Sequence, residues 1–354
     1  MYWNDGQGDF VREAVGPSWT SNHIPLRSTL DTWGDFDRDG FLDAFLGGGF
    51  SVIVGTTVTN SLLHNIGDST FEVITNSVLQ LRNDGNQYSC AVDYDNDGDL
   101  DLVPIRHHGQ FIRFYQNDGH GVFTEATPEP IRSEVRYSLS AAWADFDNDG
   151  DLDVIFGGAG WMGECEHFYV NNGDGTFSHW AGQPALFEGP GGGIETWGDY
   201  DNDGYVDLYA GAIEGGKWGM WRNLGDGNFE QVLLGSPDID PWVNFQSFGL
   251  VDFNGDGFLD LITLNRNASV NYLYLSNGNT NHWLEVRPIG TASDRLAVGA
   301  KIFVTATIRG QEMRQLRVIT ATACDTTLVA HFGLGDATNV TTLRIEWPIG
   351  IGQE

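Results

Sequence analysis

Positive charge is scarce in this chain. Its 354 residues carry 18 Lys and Arg against 49 Asp and Glu, a formal net charge of −31. Such a surface repels phosphate backbones and anionic lipid headgroups, so neither nucleic acid nor a membrane surface is an expected partner. Cysteine is nearly absent. Cys90, Cys165 and Cys324 are too few and too scattered to staple a fold. No stretch approaches the ~20 apolar residues of a membrane-spanning helix, so membrane insertion is not expected. Long runs of 3.6-residue periodicity are missing too, while 47 glycines punctuate the chain, so almost no helix is predicted. Catalytic signatures are also absent: there is no nucleophile elbow, zinc-protease helix or phosphate loop. The N-terminus, from Met1 to Gly6, has no basic or apolar segment and does not read as a secretory signal, which implies one already removed or a true start further upstream. With 41% hydrophobic residues, a packed core is nevertheless expected.

What the chain has in abundance is one acidic motif, repeated. The pattern Asp-x-Asp/Asn-x-Asp-Gly-x-x-Asp occurs five times, its copies 52 to 58 residues apart. Loop 1 offers Asp35, Asp37, Asp39 and Asp43; loop 2 offers Asp93, Asp95, Asp97 and Asp101; loop 3 offers Asp145, Asp147, Asp149 and Asp153. Loop 4 offers Asp199, Asp201, Asp203 and Asp207, and loop 5 offers Asp252, Asn254, Asp256 and Asp260. A second motif comes after each loop: an apolar run ending in Asn, then a glycine-rich turn, as in Phe168-Tyr169-Val170-Asn171-Asn172-Gly173. That is a hairpin signal. With one strand before each acidic loop and one after it, each unit reads as four short strands. Four-stranded units repeated every ~50 residues predict the blades of a β-propeller.

The loop spacing suits calcium. Ca²⁺ takes six to eight hard oxygens. Positions 1, 3 and 5 of a tight loop turn side-chain oxygens inward, and the Gly at position 6 permits the bend. Position 7 (Phe41, Asp99, Asp151, Tyr205, Phe258) supplies a backbone carbonyl, and Asp at position 9 closes the shell. About five calcium ions are therefore expected, with loop 5 the weaker site because Asn254 replaces a carboxylate. Sites of this kind fill at extracellular calcium levels, which points to a secreted or cell-surface protein.

The blade pattern, with Phe248-Gly249 ahead of loop 5, resembles the FG-GAP/VCBS repeats of integrin α-chain propellers and their bacterial relatives. The C-terminal segment resembles the ASPIC/UnbV domain. The residues that carry this likeness are Asn281 to Leu284, Gly290-Thr291, Asp294-Arg295, Val298 to Ala300, His331 to Gly335 and Trp347-Pro348. The combination is that of the cartilage acidic protein family. It implies an all-β fold, a propeller over residues 1–280 followed by a small β-rich, sandwich-like domain over residues 281–354. The propeller portion begins mid-repeat and holds about five and a half blades, and the last domain stops early, so the chain reads as a fragment or a shortened relative.

In a blade whose strands alternate in direction, the acidic loop and the glycine turn share one face. The loops of the other face carry His107, His108, Trp161 and Trp218, and the connections between blades carry Trp180 and Trp242. These six residues are the expected ligand-binding set, and exposed Trp beside polar groups suits a glycan or an extracellular protein. The leading expectation is a calcium-dependent adhesion or recognition module. A structural component of a surface assembly is one alternative. A metal-assisted lyase acting on sugars is the other, since related repeats occur in some sugar dehydratases.

Overall fold

The computed structural model describes residues 2–4, 10–12, 28–48, 50–51, 56–57, 60–68, 70–75, 77–80, 86–106, 111–136, 138–158, 166–180, 193–212, 219–232, 245–265, 271–321 and 326–354. The fold is all-β. Among the described residues the only helices are one α-turn, Ile131–Glu134, and one 3-10 turn, Val78–Gln80.

Four four-stranded antiparallel sheets succeed one another along the chain. Sheet 1 contains Ser28–Gly34, Asp43–Gly48, Ser61–Asn65 and Phe71–Ile74. Sheet 2 contains Asn86–Val92, Asp101–Arg106, Tyr115–Asn117 and Phe123–Glu125. Sheet 3 contains Ser138–Ala144, Asp153–Gly158, His167–Asn171 and Phe177–His179. Sheet 4 contains Gly193–Gly198, Asp207–Ala212, Gly219–Asn223 and Phe229–Val232. Among the described residues sheet 5 has three strands, Phe245–Val251, Asp260–Asn265 and Tyr272–Tyr274, where the repeat predicts four. Its chain runs instead from the third strand into the C-terminal unit. A separate hairpin pairs Tyr2–Asn4 with Phe10–Arg12.

Each acidic loop joins the first strand of its sheet to the second. The ladder closes at the loop mouth, where the residue before position 1 pairs with position 9, as in Ala144 with Asp153 and Gly198 with Asp207. Neighbouring sheets are tied through their first strands. The Thr32 hydroxyl donates to Ser89 O at 2.7 Å, Ser140 to Gly193 O at 3.0 Å, and the Trp197 indole to Ala142 O at 3.4 Å. Aromatic and aliphatic side chains fill the space between sheets. Tyr94, Phe114, Phe156 and Phe177 are buried between sheets 2 and 3, and Phe146, Phe168, Trp180 and Trp221 between sheets 3 and 4.

The C-terminal unit stacks two sheets. One is four-stranded, in the order Gln311–Val318, Lys301–Ile308, Val340–Glu346, Gly352–Gln353; the other pairs His282–Val286 with Ala330–Gly335. Ile302, Val304, Ala306, Ile308, Phe332 and Leu334 form its core. A cavity of about 150 Å³ lies between the first strands of the repeats and this unit, with Trp143, Trp197, Glu195, Asp199, Arg317 and His331 on its walls.

Candidate metal centre: the acidic loops

Each loop is shaped by its own backbone hydrogen bonds. Position 5 accepts the N–H of position 7 in all five: Phe41, Asp99 and Asp151 at 2.9 Å, Tyr205 at 3.1 Å and Phe258 at 3.0 Å. Position 1 accepts the N–H of the position-6 glycine, Gly40 at 3.0 Å, Gly98 at 3.1 Å, Gly204 and Gly257 at 2.8 Å. Those glycines sit at φ between 87° and 100°, where a side chain would be strained. Position 4 is also left-handed, with Arg38, Asn96, Asn148 and Asn202 at φ near 60°.

Position 9 is a brace as well as a potential ligand. One oxygen accepts the position-2 N–H and the other the N–H that ends the third strand. Asp153 takes Phe146 N at 3.2 Å and Asn171 N at 2.8 Å; Asp207 takes Tyr200 N at 3.1 Å and Asn223 N at 2.8 Å. Asp260 does the same with Phe253 and Ser276.

The carboxylates converge. Oxygens of Asp35, Asp37 and Asp39, of Asp93, Asp95 and Asp101, of Asp145, Asp147 and Asp153, and of Asp199, Asp201 and Asp203 each lie within 4.8 Å of one another. Loop 1 has a second grouping of Asp37 and Asp43 with His64. Loop 5, with Asn254, forms no such group among the described residues.

Burial makes these clusters electrostatically costly. Position 1 is at most 6% exposed in loops 1 to 4. Desolvation, then nearby aspartates, pushes Asp35 and Asp145 up to about 7, and Asp199 to about 8. Asp101 rises to about 9, and Asp153 and Asp207 also rise well above the usual carboxylate range, again through burial. Several oxygens have no hydrogen-bond partner at all: Asp93 Oδ1, both of Asp145, and Asp201 Oδ1. A buried carboxylate without a counter-charge is destabilising. Hard anionic oxygens grouped this way fit a hard divalent cation, and the four tight clusters could hold one.

Family profiles match where the geometry repeats. An FG-GAP-like repeat profile covers residues 105–156 and 199–263, and the profile described as ASPIC and UnbV covers residues 290–354. The chain carries FG-GAP-like repeats over these two stretches and an ASPIC/UnbV segment at residues 290–354. Among curated relatives, cartilage acidic protein 1 of Xenopus tropicalis is 28% identical over 250 residues, 67% of this chain, and the Homo sapiens protein is 27% identical over the same length. The chain spans only 38% and 37% of those two proteins. An Agrocybe aegerita lectin, described as recognising non-reducing terminal N-acetylglucosamine, matches with a TM-score of 0.50 at 19% identity, over 74% of this chain and 68% of the lectin. That likeness is one of fold.

The acidic loop and glycine turn of each repeat do share a face. The position-7 side chain packs on the turn glycine: Phe41 on Gly67, Asp99 on Gly119, Asp151 on Gly173, Tyr205 on Gly225 and Phe258 on Gly278. Of the six ligand-face residues expected from the sequence, His107, His108, Trp161, Trp218 and Trp242 lie outside the described residues. Trp180 is a correction. It is 7% exposed and packs on Phe168 at 4.8 Å and Phe229 at 5.5 Å between centroids, so it belongs to the core between sheets 3 and 4. It sits one residue past a short strand, which reads as a connecting loop in sequence yet places the ring inside.

Three sets of residues around the loops have roles that the sequence reading did not assign. The Asn that ends the third strand donates its amide to the position-2 carbonyl of the preceding repeat: Asn117 to Phe36 O at 2.7 Å, Asn171 to Tyr94 O at 2.8 Å and Asn223 to Phe146 O at 2.7 Å. The residue before it faces the position-3 carboxylate, with His64 on Asp37 at 3.2 Å, Gln116 on Asp95 at 2.5 Å and Arg222 near Asp201 at 3.6 Å. Both were legible as fixed offsets within the repeat. The third set, cations from the ASPIC/UnbV segment, has no local signal. Lys301 Nζ reaches Asp93 Oδ2 at 2.7 Å, and Arg309 lies 3.8 Å from Asp203.

Proposed function

We propose that this chain is an extracellular calcium-binding recognition module in which the acidic loops are structural calcium sites. The observation that carries the reading is the set of buried, converging carboxylates with unpartnered oxygens in loops 2 to 4. Asp35, Asp37, Asp39 and Asp43 would hold the ion in loop 1, and the equivalent aspartates in loops 2, 3 and 4. The ion would supply charge compensation and rigidity. With a dissociation constant of ~0.1 mM and calcium at ~2 mM, each filled site adds about 1.8 kcal/mol. Loop 5, half-exposed at Asp252 and carrying Asn254, would be weakest.

Recognition falls to the opposite face. The loop face is taken up by the ASPIC/UnbV segment: Gly335 N–H donates to Asn202 O of loop 4 at 2.8 Å, and His331 pairs with Gly257 O of loop 5 at 3.1 Å. Trp161, Trp218, Trp242, His107 and His108, which the strand order of the repeat assigns to that face and which lie outside the described residues, are the proposed contact set for a glycan or an extracellular protein. The test is a thermal melt with and without EDTA, then a glycan array at ~2 mM calcium. A rise in Tm of several degrees on adding calcium supports the structural ions. Array binding lost in Trp161→Ala or Trp218→Ala, at unchanged Tm, supports the recognition face. An EDTA-insensitive melt overturns the calcium reading, and intact binding in both variants overturns the assigned face.

A further inference from the structure

The five acidic loops differ in who neutralises them. In loop 2, Lys301 Nζ lies 2.7 Å from Asp93 Oδ2 and 2.7 Å from Asn96 Oδ1. Lys301 is 7% exposed, so both partners of this pair are withdrawn from water. Loop 4 meets three arginines. Arg222 Nε is 3.6 Å from Asp201 Oδ2, and Arg309 Nη1 is 3.8 Å from Asp203 Oδ2. Arg317, on the cavity wall beside Asp199, is close enough for its charge to act on Asp145, Asp199 and Asp207. Its guanidinium is held in place by His331 O at 3.0 Å, Leu316 O at 2.8 Å and Gln315 Oε1 at 3.2 Å. Loop 1 is different. Among the described residues its only basic neighbour in ion-pair range is His64, because Arg38 turns away to Asp99 of loop 2.

Lys301, Arg309 and Arg317 all come from the ASPIC/UnbV segment, on strands Lys301–Ile308 and Gln311–Val318 and the turn between them. They meet carboxylates that a divalent cation would also need. One carboxylate cannot offer its full charge to two cations, and a positive group beside the site repels a second.

We propose that the ASPIC/UnbV segment is a tethered competitor for calcium at loops 2 and 4, its Lys301 and its arginines occupying the charge that the ion would otherwise take. The proposal rests on the calcium reading above and names what regulates it. Coupling between two binding events is reciprocal. The seated segment therefore weakens calcium at loops 2 and 4, and calcium at those loops loosens the seat. Loop 1 fills before loops 2 and 4 as calcium rises. The seat becomes a sensor of calcium across the upper range of concentration.

The experiment is a calorimetric calcium titration of the full chain, in the wild type, Lys301→Met, Lys301→Arg and Arg309→Met. The expected result is one class of site binding about 5- to 10-fold tighter in Lys301→Met, with wild-type affinity kept in Lys301→Arg. Arg309 is exposed, so Arg309→Met leaves the fold intact and gives a smaller gain, about 2-fold. In parallel, hydrogen exchange in Ala330–Gly335 of the wild type should speed up between low and saturating calcium. Unchanged or weaker calcium binding in both methionine variants overturns the proposal. So does increased protection of Ala330–Gly335 at saturating calcium. A wild type that takes up no calcium at all overturns the calcium reading itself, which separates the two failures.

Discussion

At the scale of single residues, the Asn that ends the third strand in sheets 2 to 4 ties its repeat to the one before it. In sheet 3 its Nδ2 donates to Tyr94 O in the preceding repeat at 2.8 Å and to Leu152 O in its own loop at 3.1 Å. Its Oδ1 accepts the Gly173 N–H at 3.0 Å, and its backbone N–H goes to Asp153. Asn171 is 1% exposed, so water cannot replace these partners. Asn171→Ala should leave two carbonyls and one amide unpaired and cost about 2–4 kcal/mol. A urea melt at fixed calcium measures this, and a cost under about 1 kcal/mol would refute the role. The sequence displays the residue at a constant offset but hides its task, because a motif repeated in register shows position and not partner. In sheet 5 a serine stands at this position, and the tie is made differently. Ser276 keeps the backbone bond to Asp260, and the link to loop 4 passes to Asn279 and Asn281, which donate to Asp201 O at 2.6 and 2.8 Å.

At the scale of the element, the repeats were legible because a β-hairpin and a nine-residue acidic loop are built from local contacts. Alternating apolar residues and the Gly turns mark each strand. What the pattern could not give was the inside of each connection, as Trp180 shows, nor that sheet 5 has three strands among the described residues. It also gave no sign that Glu195, in a strand that otherwise reads as core, is buried. Glu195 is 3% exposed and accepts a hydrogen bond from Ser140 of the preceding sheet. Burial, then repulsion from Glu166, raises its pKa from 4.5 to about 8. The folded state thus holds a proton that the unfolded chain releases near pH 4.5. Between those two values the folded state binds more protons, so the contribution of Glu195 to stability declines as pH rises from ~5 to ~8 and is unchanged below that window. The whole effect is of the order of a few kcal/mol. Glu195→Gln should flatten this part of the stability profile at constant calcium. A variant that keeps the wild-type slope between pH 5 and 8 would show that the carboxyl is solvated or paired.

At the scale of the whole molecule, the charge of −31 acquires a structural reading. The acidic loops gather on one face, and the ASPIC/UnbV segment lays some of the chain's few cations across it. Contacts such as Lys301 to Asn96, 205 residues apart, are invisible to any reading of local pattern. The clustering of the aspartates was legible in the sequence because their geometry is set within nine residues, whereas their counter-charges are set by the packing of distant strands. This arrangement makes stability depend on salt. Without divalent ions the loops repel one another and themselves, and that repulsion is screened as the Debye length shrinks from about 30 Å at 0.01 M to about 8 Å at 0.15 M salt. The Lys301–Asp93 pair, withdrawn from water, is screened far less. In EDTA the Tm should therefore climb with sodium chloride over this range. In ~2 mM calcium, with loop charge already reduced, the same series should be much flatter. A Tm that falls with salt in EDTA would mean that attractive surface pairs outweigh the crowded aspartates, and the loops would then be compensated by the protein's own cations without need of an ion.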